Sequence, residues 1–87
     1  MKELADLLSL DDRQVQMLLA KLEEAEFALA LKGASDEVKQ LFLRNMSTRG
    51  TLEVDTEGLL MGAPEEGAIA AARARMLELA SEVQAEA

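Results

Sequence analysis

Apolar residues recur at three- and four-residue intervals through nearly the whole chain, and that spacing commits it to helices. Val15, Leu18, Leu19 and Leu22 stand at i, i+3, i+4 and i+7, the pattern of a one-sided helix. Leu4, Leu7 and Leu8 make a shorter face before them. Phe27, Ala30 and Leu31 share a side, as do Val38, Leu41 and Phe42. A last stripe, Ile69, Ala72, Met76, Leu79 and Val83, alternates steps of three and four. At 87 residues the chain is one small domain, burying only a little over ~60% of its unfolded surface. Its 49% hydrophobic content suits a packed core and is too high for disorder.

Start and stop signals divide these faces. Asp11 with Gln14 three positions on is a capping-box arrangement. Lys32-Gly33 ends the Phe27 segment, a cation in the last turn and a glycine free to turn left-handed. Ser35 caps the next helix, and Asp36 and Glu37 suit its positive end. Gly62-Ala63-Pro64 is a clear break, with Pro64, Glu65 and Glu66 fitting the first turn of a long helix from about residue 65 to 84. Residues 47–62 are equivocal. Ser47 suits a helix cap, but Gly50 and Gly58 each cost about 1 kcal/mol in a helix interior. Leu52, Val54 and Thr56 alternate with Glu53, Asp55 and Glu57, as a short exposed strand would. A helix is the reading adopted. The expected fold is all-α, a compact domain of five or six helices with a long C-terminal one.

Composition excludes much chemistry. There is no cysteine, hence no disulfide and no thiolate ligand or nucleophile. There is no histidine, the commonest general base and transition-metal ligand. Two Phe and no Tyr or Trp make a base-stacking platform implausible. A net charge of −8 disfavours nucleic acid and anionic membrane surfaces. No apolar run reaches the ~18–20 residues that span a bilayer, and residues 1–10 do not read as a signal peptide. A soluble cytoplasmic protein is expected.

Four local patterns have bland readings that win. Glu53, Asp55, Glu57 and Gly58 resemble the start of a calcium loop, but the twelfth position, which needs a bidentate glutamate, is Pro64. The pairs Asp11/Asp12, Glu23/Glu24 and Glu65/Glu66 sit at helix starts, where capping explains them; neighbours on a helix do not face one substrate. Leu8-Ser9-Leu10 lacks the aspartate before serine that acyl carriers present. Met17, Met46, Met61 and Met76 fit core gap-filling better than a plastic binding surface. Neither cofactor nor metal is expected, nor an enzyme.

Three runs carry a family resemblance. They are Leu10-Asp11-Asp12-Arg13-Gln14-Val15-Gln16 with Leu18-Leu19, then Ala30-Leu31-Lys32-Gly33-Ala34, then Phe42-Leu43-Arg44-Asn45-Met46-Ser47-Thr48-Arg49. Together they resemble the C-terminal domain of the bacterial flagellar motor switch protein FliG, whose members read LDDRxIQxLL, ALKGA and FLxNMSxRAA. The match is strong over residues 10–49 and weak over 50–87, where only the layout persists.

That resemblance implies a non-enzymatic rotor component whose charged helical face meets the cytoplasmic loop of the stator, with other switch-complex proteins as partners. It implies a place at the cytoplasmic face of the flagellar basal body, with roles in torque, motility and chemotactic switching. The family's charged positions carry over to Lys32, Arg49 and Glu57, with Asp55 supplying the second carboxylate where the family's acidic pair falls on Thr56-Glu57. The family's last arginine falls on Glu65, of opposite sign, and its basic pair on Ser81-Glu82. Its Arg-Ala-Ala is Arg49-Gly50-Thr51 here, and its Met-Phe-x-Phe hinge falls on residues 1–4 without the aromatics. A divergent acidic adaptor that kept the fold but lost the stator is the alternative. Exchange of the long amphipathic helix between copies is a further possibility for assembly.

Overall fold

Residues 2–86 are described by the computed structural model. A 3₁₀ helix at Leu4–Ser9 precedes five α-helices: α1 (Asp12–Lys21), α2 (Glu24–Ala30), α3 (Asp36–Leu43), α4 (Thr48–Leu60) and α5 (Glu66–Glu86). No strand occurs among the described residues.

The helix boundaries follow from local chemistry. Asp11 Oδ1 accepts the Gln14 N–H at 2.8 Å, and Gln14 Oε1 accepts the Asp11 N–H at 3.0 Å, the reciprocal box at the start of α1. Ser35 Oγ accepts from Val38 N–H at 3.4 Å and Ser47 Oγ from Gly50 N–H at 3.0 Å. Gly33 and Gly62 take φ of +72° and +66°, the left-handed turn that releases the chain from α2 and α4. The long helix starts one residue later than the sequence suggests and runs two residues further, to Glu86.

Two local outcomes refine the reading from periodicity. The N-terminal helix is 3₁₀, so residues three apart lie on one side. Leu7 and Leu10 are buried and Leu4 half-buried, while Leu8, expected to point inward, is 41% exposed. Residues 48–60 are helical, not extended. Of the alternating trio only Val54 is buried, and the Thr56 hydroxyl donates back to the Leu52 carbonyl at 2.9 Å within the helix. The Ser47 cap and the packing of α4 on α2 outweigh the two glycines.

α5 runs against α2, α1 and the 3₁₀ helix, and α3 packs on the 3₁₀ helix and α1. The shared core is apolar throughout, with Phe42, Leu7, Leu18, Met76, Val15, Val38 and Val83 fully enclosed. Met76 lies inside it, and Met17, Met46 and Met61 fill its margins. The Cα radius of gyration, 12.0 Å, equals the ~12 Å expected of one compact body of this length. No helix among the described residues is long and apolar enough to cross a membrane.

Candidate functional site

α4 differs from the other helices in what it leaves outside. Its inner side offers Val54 to α2, with Gly50, Glu57, Gly58 and Met61 half-buried around it. Its outer side carries Leu52, Leu59 and Leu60, exposed at 61%, 82% and 79%. Single exposed leucines are ordinary, but Leu52 and Leu59, two turns apart on one face of the helix, with Leu60 beside the second, make a ridge. Arg49 leads that ridge. Its Nε donates to Glu53 Oε1 at 3.1 Å, one turn on, with its side chain 90% exposed. A pair so exposed contributes under about 0.5 kcal/mol to folding, so it leaves the guanidinium free to be re-partnered.

A groove runs along each flank of the ridge. On one side Glu53 and Glu57 face Glu24 at the start of α2. Partial desolvation, and then the charges of Glu53 and Glu57, hold the Glu24 carboxyl above the usual range. On the other side Asp55 lines a groove with Lys32, Lys39, Leu43 and Leu59. Arg49 and Glu57 therefore share one flank, about 12 Å apart along the axis, and Asp55 and Lys32 share the other. The four residues singled out in the sequence bracket one helix but do not converge on one point. Glu53, Asp55 and Glu57 lie on an unbroken helix, which rules out a calcium loop wrapped from that segment.

Lys32 is tied into the fold. Its Nζ donates to the Gly58 carbonyl at 2.6 Å. The turn that bears it is held by Arg73 of α5, whose Nε donates to the Ala30 carbonyl at 3.0 Å and whose Nη2 donates to the carbonyl of Lys32. In the sequence Arg73 is only one of the charges between the apolar positions of α5. The sequence places Lys32 in the last turn of α2, but the helix ends at Ala30, so Lys32 lies beyond that turn and Arg73 meets the carbonyls instead. Glu65 and Glu82, where the resemblance expects basic residues, are exposed. Of residues 1–4, Met1 lies outside the described residues; Glu3 caps the 3₁₀ helix.

The chain is a small all-α body with an apolar core, one leucine ridge and charged grooves. The FliG C-terminal domain family model matches residues 1–87, and the chain belongs to that family of motor-switch components, which are not enzymes. The flagellar motor switch protein FliG of Thermotoga maritima is 46% identical over 57 residues, covering 66% of this chain and 17% of that protein. The FliG proteins of Bacillus subtilis and Bradyrhizobium diazoefficiens are each 29% identical, covering 91% and 92% of this chain and 23% and 24% of theirs. The chain thus spans about a fifth of the length of these relatives. The crystal structure of FliG (residues 86–343) from H. pylori superposes with a TM-score of 0.90 at 24% identity, over 99% of this chain and 41% of that one, which establishes a shared fold.

Proposed function

We propose that this domain acts as the rotor-side element of the flagellar motor switch, at the cytoplasmic face of the basal body, and meets the cytoplasmic loop of the stator through the outer side of α4. The observation that carries the reading is the ridge of Leu52, Leu59 and Leu60, led by Arg49 and set between two charged grooves. Apolar area of this kind supplies affinity, and the flanking charges supply register and encounter rate. Arg49 and Glu57 mark one edge of the contact, Asp55 the other, and Lys32 lies at the seam with α2. No covalent chemistry is involved; torque passes as force through the contact.

The test is a binding titration of the isolated domain against the stator's cytoplasmic loop at two or more salt concentrations. Binding that weakens with salt in the native domain, and weakens again in the Arg49→Glu variant with an unchanged melting curve, supports the reading. Unaltered binding by that variant removes it. The acidic side chains of Glu65 and Glu82 favour a second reading, an adaptor that retained the fold without the stator. Absence of any loop binding by the native domain selects it.

A further inference from the structure

α4 ends without a cation of its own. No basic residue stands in its last turn, and the N–H of Gly62 turns to the Leu59 carbonyl at 3.2 Å instead of reaching back to Gly58. The Gly58 carbonyl is thus one of the orphan acceptors at the negative end of a helix. Lys32 fills that role from twenty-six residues away, its ammonium 2.6 Å from the oxygen. The same arrangement occurs one step back. α2 also lacks a basic residue in its last turn, and Arg73 supplies its C-terminal carbonyls with a guanidinium from α5. Two helices therefore have their C-termini closed by a cation from a distant part of the chain, α2 by Arg73 of α5 and α4 by Lys32 of the turn after α2.

The second cap matters because α4 is lightly held. It rests chiefly on α2, and its one buried side chain, Val54, is still 9% exposed. Glycines occupy two of its positions, Gly50 and Gly58, and the Lys32 chain lies alongside the second at ordinary contact distance. A built Cβ at Gly58 would stand 3.9 Å from Nζ.

We infer that Lys32 is a positioning residue, a cap supplied across the fold that fixes the C-terminal half of α4, and that Arg73 sets the turn from which it reaches. This inference deepens the proposed stator reading by assigning Lys32 to the orientation of the ridge and not to contact with the partner. Its support does not depend on a partner, because both caps lie within the domain.

The experiment is amide hydrogen exchange on the whole 87-residue chain in three forms: native, Lys32→Met and Lys32→Arg. A helix-end cation alters local opening by about three- to ten-fold. Exchange over residues 54–61 is expected to speed up by that factor in Lys32→Met while α1, α3 and α5 keep native rates. Lys32→Arg, whose guanidinium can reach the same carbonyl, is expected to restore most of the protection. Arg73→Met is expected to speed exchange in both the 30–34 turn and residues 54–61. Unchanged rates in α4 of Lys32→Met overturn the inference. So does a uniform rise in every helix, which would report only lost global stability. Because no stator component is present, failure here leaves the stator reading standing, and loss of stator binding leaves this one standing.

Discussion

Phe42 of α3 meets Phe27 of α2 edge to face, with ring centroids 5.0 Å apart and planes at 67°. That geometry sets the positive ring edge against the negative face and adds about 0.5–1.5 kcal/mol to the area buried. These are the only two aromatic residues in the chain, and both are buried.

Phe42→Ala is therefore expected to be the most damaging of the core truncations, at about 3–5 kcal/mol. For a small domain of about 5–15 kcal/mol total stability that is a large fraction. Phe42→Leu, which keeps volume near the site, should cost roughly 1–1.5 kcal/mol. Urea denaturation followed by helical circular dichroism measures both.

Arg49→Glu should leave folding stability within about 0.5 kcal/mol of native. The variant loses the Glu53 pair and gains repulsion from it, but places an acid in the first turn of α4, where the helix dipole favours one. A melting curve checks this part. The same variant should lose swimming in a motility-restoration assay; full swimming would mean that the arginine carries no force.

Leu52→Ser with Leu59→Ser removes most of the outer ridge. Both side chains are largely in water already, so the double variant should melt within a few degrees of native and be more soluble. Loop binding should weaken by at least about ten-fold, in line with loss of two apolar anchors, and with no change in salt dependence. Titration at low and high salt separates this from the effect of Arg49.

Acid titration should show opposing contributions. Asp6 is held below the usual range by the backbone N–H groups of Lys2 and Glu3, and Asp12 by the side chains of Asn45 and then Arg44. A lowered carboxyl pKa means that the unfolded chain takes its proton first. The stabilisation from these two is complete above the ordinary value of 3.8 and drains away as pH falls through the lowered one. Glu24 is raised, so its native carboxylate is disfavoured once pH exceeds the raised value, and that penalty disappears below the ordinary 4.5. Asp12→Asn should flatten the loss of stability on the acid side. Glu24→Gln should raise the melting temperature at about pH 7 and leave it unchanged at about pH 3. Thermal melts across that range test both signs.

Most of the fold was legible because its signals are local. Asp11, Ser35 and Ser47 act on N–H groups three residues away, and Gly33 turns where the apolar face of α2 runs out. Leu8 was misplaced because a six-residue segment does not distinguish a period of 3.6 from one of 3.0, and only the period separates its direction from that of Leu10. α4 was ambiguous because its alternation and its glycines opposed its cap, and the contact with α2 that decides the matter is long-range. The sequence singled out Lys32, Arg49, Asp55 and Glu57 but did not show how they group in space. Lys32 and Arg49 look alike in the sequence, yet one is bonded to a distant carbonyl and the other stands 90% exposed. Arg73 carried no signal at all, since its partners lie more than forty residues back on another helix.

α5 has a bearing on when the chain can become native. It brings Ala72, Met76, Leu77, Leu79, Ala80 and Val83 to a core whose other walls come from residues 7 to 54. Until that helix leaves the ribosome, Val15, Leu18 and Phe27 have no lid, and the earlier helices are held only by one another. The contacts it makes with α1 close loops of about sixty residues, the slowest kind to form. Folding of this domain thus waits on the emergence of α5. The interval between synthesis of α2 and synthesis of α5 is the period in which its apolar surfaces are open to chaperones and to other nascent chains.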